Sequence, residues 1–313
     1  MTAASGEYAR GHDHGHASAV GPGQRRKLAI VLAITVTALV VEVVGAAVSG
    51  SLALLADAGH ALTDAAGLTL ALVASALSLR PATPQRTWGY RRAEVLAAAA
   101  QAAVLLAVGV FVIIEGIRRL IDPPEVASMA MLVFGVVGLV GNILAISILS
   151  TSRGQNLNMR AAFLEVVNDA LGSAAVLVAA ASIWAYGWAR ADAVASLLIG
   201  ALILPRTWRL LRETVDVLLE STPRGLDLGA VRARLRSVEH VRDVHDLHVT
   251  QVATDLPVLT AHVVVDDSCF HDAHLPELLD ELQACLADDF DVEHSTLQFE
   301  RAGHADHEHP THA

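Results

Sequence analysis

Two pairs of ionisable residues in this sequence share one spacing. His60 and Asp64 are four residues apart, and so are Glu165 and Asp169. Side chains four residues apart lie one above the other on the same face of an α-helix. If the two faces meet, one imidazole and three carboxylates converge, and such a set can bind a divalent ion such as Zn²⁺. The spacing therefore predicts a four-ligand metal site between two helices.

The apolar surroundings of both pairs strengthen this interpretation. An ionisable residue inside a membrane span costs about 2.5–3.5 kcal/mol on insertion scales. Any one of these residues, taken alone, is as well explained by a hydrogen bond between helices. Two matched pairs favour a shared site. A zinc hydrolase of the HExxH type is not indicated, because Ala61 follows His60 where the general base would stand.

Other polar residues in the same segments have weaker interpretations. Asp57, one turn before His60, is a candidate for a supporting or entry group. Glu42 and Asn142 are isolated polar residues for which helix-packing contacts are the better hypothesis. The glycines at 135, 138 and 141 favour close approach of a neighbouring helix.

Six apolar segments are long enough to cross a bilayer, which takes about 20 residues. The predicted spans are Leu28 to Val48, Leu52 to Leu79, Ala93 to Ile117, Met129 to Leu149, Ala161 to Tyr186 and Ala191 to Leu211. Lysines and arginines concentrate on one side of six alternating helices. This bias predicts that both termini are cytoplasmic, with Arg118 and Arg119 as the main exceptions. The Ala-rich composition favours a bacterial cytoplasmic (inner) membrane.

The composition agrees with a helical membrane protein. Of 313 residues, 53% are hydrophobic, 18% charged and only 4% aromatic, and the mean hydropathy is +0.47. A membrane β-barrel would need alternating strands and aromatic girdles. The net charge is −11, and the basic residues do not cluster on one face, so nucleic acid is not an expected partner. Cys269 and Cys285 lack the spacing of a thiolate metal site. We expect no enzymatic activity and no cofactor.

The last third of the chain changes character. Helical patterns at Asp227 to Val238 and Leu275 to Leu286 alternate with strand patterns at Val241 to Val252, Val258 to Val265 and Val292 to Phe299. The order α-β-β-α-β predicts a small α+β domain. The expected organisation is a disordered histidine-containing tail (1–27), a six-helix membrane domain (28–212), a cytoplasmic domain (213–301) and a histidine-rich disordered tail (302–313).

The metal-site segments resemble those of a known family. Residues 52–64 (LALLADAGHALTD) and 158–173 (NMRAAFLEVVNDALGS) are similar to the second and fifth helices of the cation diffusion facilitators. Residues 90–94 (YRRAE) and 244–249 (VHDLHV) also resemble segments of that family. The similarity extends over nearly all of the chain from the first helix to Glu300.

The resemblance implies a proton-coupled exporter of zinc and similar ions. It implies a homodimer in the lipid membrane with a cytoplasmic domain of ferredoxin-like topology, and it matches His60, Asp64, Glu165 and Asp169 to the transport site. His60 and Glu165 are the candidates for carrying protons. The resemblance also matches four residues to a regulatory cytoplasmic metal site: His245, His262, His294 and Glu300.

Two departures from the family pattern bear on function. Zinc-selective members often have histidine where this chain has Glu165, and oxygen ligands favour harder ions than imidazole does. Transport of cobalt, cadmium, manganese or iron therefore stays open. The loop from Arg80 to Arg92 has no histidine or aspartate, so a loop metal site is not expected. A monovalent-cation/proton antiporter and a membrane-bound metal sensor are the alternatives.

Overall fold

A computed structural model describes residues 22–150, 157–253 and 256–307. The expected tails lie mostly outside the described residues, including the N-terminal histidines at 12, 14 and 16. The described parts of those tails contain some structure. The first helix already begins at Pro22, inside the expected N-terminal tail, and a short 3-10 turn covers His304–His307 near the other end.

Six long helices precede the cytoplasmic domain. They are α1 (Pro22–Ser49), α2 (Leu52–Ser78), α3 (Ala93–Ile121), α4 (Ser128–Ser150), α5 (Leu157–Tyr186) and α6 (Arg190–Leu218). All six are long and apolar enough to cross a membrane. The sequence-based prediction of six spans is therefore confirmed.

Two helices extend beyond their predicted ends, because charged residues end the apolar run but do not end the helix. Helix α6 was expected to stop at Leu211 but continues to Leu218, past Arg212 and Glu213. Helix α3 likewise continues through Arg118 and Arg119 to Ile121. Arginines are favourable in a last helical turn because they complement the helix dipole. A charged residue thus ended the predicted membrane span without ending the helix.

One compact unit of the chain runs up to Leu62 and from Val108 to Leu202. In it, the glycines of α4 face side chains of α1 and α5. A Cβ built on Gly135 would lie 3.1 Å from a methyl of Leu177, and one on Gly138 would lie 2.7 Å from Glu42. The expected close approach of neighbouring helices to this glycine series is confirmed.

The second compact unit contains residues 63–107 and 203–313. Its C-terminal part consists of α7 (Leu228–Arg236), β1 (Val241–Ala253), β2 (Leu256–Val265), α8 (Leu275–Phe290) and β3 (His294–Glu300). The strand order is β1-β2-β3, with β1 antiparallel and β3 parallel to β2. The predicted α-β-β-α-β order is confirmed.

The core of this α+β domain joins both helices to the sheet. Leu235 of α7 and Leu282 and Leu286 of α8 are fully buried with Leu259 and Val263 of β2. Asp227 caps α7 by accepting a 2.8 Å hydrogen bond from the Gly229 amide. The packed core holds the three strands that carry the cytoplasmic histidines in a fixed register.

Candidate metal sites

The first candidate site lies where α2 meets α5. His60 projects from α2, and its Nε2 is 4.0 Å from Glu165 Oε1 on α5. Ligand atoms of His60 and Asp169 lie within 4.8 Å of each other. The two faces predicted from the i,i+4 spacing thus bring an imidazole and two carboxylates together.

Asp64 occupies the next turn of α2 on the same face as His60. His60, Asp64, Glu165 and Asp169 are all half-buried, although long apolar helices carry them. The arrangement provides one nitrogen and up to three carboxylate ligands, a set that suits Zn²⁺ and related divalent ions.

A buried aspartate anchors the helix that carries His60. Asp192, in the first turn of α6, accepts hydrogen bonds from the backbone amides of Leu52 at 2.8 Å and Ala53 at 3.2 Å. It also accepts one from the Ser51 hydroxyl at 2.5 Å. The first amides of a helix have no partner inside the helix. Asp192 therefore serves as a capping group for α2, although it comes from a different helix.

An arginine balances the charge of this buried carboxylate. Arg119 of α3 lies 3.6 Å from Asp192 and donates a 2.8 Å hydrogen bond to the Gly50 carbonyl. Its Nε also donates to Glu115 at 3.1 Å. Because Asp192 is only 1% exposed, this ion pair compensates for the loss of hydration. The start of α2 is thereby fixed to both α3 and α6.

A second polar cluster lies behind the candidate site. Asn142 donates to the Ser173 hydroxyl at 3.1 Å, and Ser173 donates to Asp57 at 3.1 Å. A small cavity is lined by Glu42, Asp57, Asn142 and Asp169, among others. We expected Glu42 and Asn142 to be packing residues, but the structure groups them with carboxylates. Sequence reasoning overlooked this cluster because its members come from four different helices.

The cytoplasmic domain contains a second candidate site. His245 on β1 pairs directly with His262 on β2, and their rings are 5.2 Å apart. Glu300, the last residue of β3, lies 3.1 Å from His245 Nε2 and 2.8 Å from His262 Nδ1. One ligand atom from each residue falls within a 4.8 Å cluster. Two imidazoles and one carboxylate form three of the four ligands typical of a zinc site.

Neighbouring residues orient this cluster. The β1 register shifts between His245 and His248, where Asp246 has a positive φ of 47°. Asp246 lies 2.8 Å from His248 Nε2 and 3.5 Å from His262 Nε2. The strained bulge thus directs an additional carboxylate toward His262, which sequence reasoning did not anticipate.

The electrostatic environment favours the ionised form of Glu300. Burial alone raises the pKa of this carboxyl. A hydrogen bond from Gln298 and the positive charge of His262, together with the contact from His245, reverse that effect and lower the pKa below its usual range. An ionised carboxylate is the form that binds a metal ion.

His294 does not join the other three predicted cytoplasmic ligands. It begins β3 opposite Val258, whereas Glu300 ends that strand. Six residues of extended strand correspond to about 20 Å. The exposed His294 ring instead contacts Trp88, with ring centroids 4.9 Å apart. Of the four residues that the resemblance implies, the structure thus brings three together in the described part of the chain.

The chain is similar to known proteins along nearly its whole length. Residues 28–219 match the cation efflux transmembrane domain, and residues 223–302 match the cation efflux protein cytoplasmic domain. The metal cation efflux system protein CzcD of Cupriavidus metallidurans is 42% identical, covering 93% of this chain and 90% of that protein. The zinc transporter ZitB of Escherichia coli is also 42% identical, covering 92% of each.

Two further similarities are less extensive. The cadmium, cobalt and zinc/H(+)-K(+) antiporter of Bacillus subtilis is 35% identical, covering 82% of each protein. The solved metal-bound C-terminal domain of the CzcD transporter from Cuprividus metallidurans is 37% identical. It covers 24% of this chain and 99% of that domain, with a TM-score of 0.22.

Proposed function

Because this chain belongs to the cation efflux family, the cation diffusion facilitators, we propose that it exports Zn²⁺ from the cytoplasm in exchange for protons. It is a divalent metal cation transporter and not an enzyme. Its membrane domain is followed by a cytoplasmic domain of ferredoxin-like type. The observation that carries the proposal is the meeting of His60 with Glu165 and Asp169 between two membrane-spanning helices.

We assign transport to His60, Asp64, Glu165 and Asp169. With the imidazole neutral and three carboxylates ionised, the empty site carries a charge of about −3, which a low-dielectric setting disfavours. A divalent ion reduces this to about −1. Ligands must be deprotonated to bind a metal ion, so protons and metal compete for the same groups. This competition supports exchange of the two across the membrane.

The oxygen-rich ligand set supports a range of cargo wider than zinc. Three carboxylates and one imidazole suit harder divalent ions better than a site with two imidazoles does. Related proteins are named for zinc, cobalt and cadmium. We therefore include Co²⁺ and Cd²⁺ as cargo, with Mn²⁺ and Fe²⁺ as the alternative that Glu165 keeps open.

We further propose a homodimer in the bacterial inner membrane, with both termini in the cytoplasm. The excess of lysine and arginine on one side of the six spans supports this orientation. Family membership supports the dimer. His245, His262 and Glu300 then form a cytoplasmic metal site. Their donor atoms lie close enough to share one ion, and a water or a further carboxylate can supply the fourth ligand.

Reconstituted vesicles containing a zinc-sensitive dye test the transport assignment. Asp64→Ala removes one ligand and should reduce zinc flux at least about 100-fold, since even orienting groups around a metal site contribute 10–100-fold. Asp122→Ala, at an exposed helix end, is the matched control and should transport normally. Normal flux in Asp64→Ala would refute the site. Zinc binding without flux in the native chain would indicate a metal sensor instead.

A further inference from the structure

Glu42 is a buried carboxyl group to which no described residue donates a hydrogen bond. It lies in the middle of α1 and is 4% exposed. Among the described residues, none forms a hydrogen bond or ion pair with it. Its side chain lines the small cavity that Asp57, Asn142 and Asp169 also line. A buried carboxylate with neither a counter-ion nor a donor is strongly disfavoured, and such a group takes up a proton instead.

The neighbouring helices leave room for these carboxyl groups. A Cβ added to Gly138 of α4 would lie 2.7 Å from Glu42 Oε1, and one added to Gly172 of α5 would lie 2.3 Å from Asp57 Oδ1. Real Cβ atoms are not found this close to another heavy atom. Any residue larger than glycine at position 138 or 172 would fill the space that one of these carboxyl groups occupies. The two glycines therefore form part of a built site for the carboxyl groups.

The two carboxyl groups differ in their hydrogen bonds. Asp57 accepts from Ser173, whose oxygen accepts from Asn142, so a chain of donors supports a negative charge on Asp57. Glu42 receives no such support from the residues that the structure describes. Segments 30–78, 128–150 and 162–186, which supply the cavity lining, contain no lysine or arginine. Of the two, Glu42 is the group suited to hold a proton.

We infer that Glu42 is a proton-binding site of the transporter, occupied when the metal site is empty and vacated when a divalent ion binds beside Asp169. This inference rests on the proposed proton-coupled function. The titratable groups that face the cavity are Asp57 of α2 and Asp169 of α5, while α4 contributes only the neutral Asn142. His60 lies one turn beyond Asp57 on α2. Glu42 therefore adds a proton position outside the four metal ligands.

Coupling follows from the shared cavity. A divalent ion at Asp169 favours ionised carboxyl groups nearby, so it expels the proton from Glu42. The O–H bond breaks, its electron pair stays on the carboxylate, and the proton passes to water. The effect is reciprocal by thermodynamic linkage: reprotonation of Glu42 weakens metal binding and promotes release. Glu42 thus lets metal and proton exclude each other without sharing a ligand atom.

The test uses the full chain reconstituted in vesicles, with the membrane potential clamped and a proton gradient imposed. Each coupled proton multiplies the steady-state zinc accumulation ratio about tenfold per pH unit, since about 1.4 kcal/mol corresponds to a factor of ten. Glu42→Gln removes one proton and should lower that ratio about tenfold at a gradient of about one pH unit. Because glutamine imitates protonated Glu42, this variant should bind zinc more weakly, so the accumulation ratio is measured at zinc concentrations that saturate its zinc-for-zinc exchange. Glu125→Gln, in an exposed loop, should leave the ratio unchanged.

An unchanged accumulation ratio in Glu42→Gln overturns the inference. If the native chain exchanges zinc but a pH gradient drives no accumulation, the proposed proton coupling fails and the inference fails with it. If the native chain exchanges no zinc, the proposed function itself is wrong.

Infrared difference spectroscopy decides the case in which Glu42→Gln does not exchange zinc. Adding zinc to the native chain should remove the C=O stretch of a protonated carboxylic acid, and Glu42→Asp should shift that band. Absence of the band in the native chain, or a band that Glu42→Asp leaves in place, overturns the inference.

Discussion

Replacing Asp192 should destabilise the membrane domain strongly, although Asp192 contacts no proposed metal ligand. Asp192→Ala removes the acceptor for the amides of Leu52 and Ala53 and for the Ser51 hydroxyl. These three residues are at most 2% exposed, so water has little access to replace the lost acceptor. The same change removes the buried partner of Arg119.

The expected loss can be estimated from these contacts. Each buried donor left unpaired costs about 1–3 kcal/mol, and breaking a buried ion pair costs about 3–5 kcal/mol. Arg119 keeps its bonds to Glu115 and the Gly50 carbonyl and is 20% exposed, which places the ion-pair loss at the low end. The low ends of these ranges, for three donors and one ion pair, add to about 6 kcal/mol. Losses within one hydrogen-bonded network are not additive, so we expect Asp192→Ala to lower the free energy of unfolding by about 3–6 kcal/mol.

Equilibrium unfolding by SDS in mixed micelles measures this loss. Asp192→Asn keeps one acceptor oxygen and should lose about 1–2 kcal/mol. Asp122→Ala changes an exposed aspartate at the end of α3 and should stay within about 0.5 kcal/mol of native. If Asp192→Ala costs less than about 1 kcal/mol, then Asp192 does not hold the start of α2 and the argument from burial is wrong.

Three further predictions concern the metal sites. Gly172→Ala places a Cβ 2.3 Å from Asp57 Oδ1 and should lower the free energy of unfolding by about 1–3 kcal/mol. Gly141→Ala is the control, because the nearest atoms to its added Cβ are at 3.6 Å. Equal losses in the two variants would contradict the packing argument. Glu165→His should increase zinc resistance relative to cobalt and manganese resistance in a metal-sensitive host, and an unchanged ratio would show that Glu165 does not set selectivity. In an Asp64→Ala background, His262→Ala should reduce the zinc bound in equilibrium dialysis by one ion per chain, whereas His294→Ala should not. Equal losses in the two variants would show that His294 also belongs to the site.

The spacing of residues along single helices was enough to find the six spans and the four proposed transport ligands. His60 and Asp64, and likewise Glu165 and Asp169, lie one turn apart, so the chain itself brings them to one face. The length of each apolar run was likewise enough to locate the spans, because it is a property of one continuous segment. Their ends were less predictable, because Arg212 and Glu213 lie in α6 beyond its apolar part.

Contacts between distant segments were not predictable in this way. Asp192 caps a helix that begins 140 residues earlier in the chain, and no local pattern connects the two. Glu42 and Asn142 each appear isolated in sequence and gain their setting only when α1, α2, α4 and α5 pack together. His294 and Glu300 fall on the same face of β3 by strand parity. The extended strand between them nevertheless holds them about 20 Å apart.

The contact of Trp88 with His294 gives the loop between α2 and α3 an intrinsic fluorescent reporter. Indole emission is sensitive to a neighbouring imidazole, and the two rings meet edge to face at 4.9 Å. The chain has four tryptophans. Trp184 of α5, Trp208 of α6 and Trp188 between those two helices are exposed. With those three replaced by phenylalanine, the emission would come from Trp88 alone. Movement of the loop between α2 and α3 relative to β3 during a transport cycle could then be followed in real time without an attached dye.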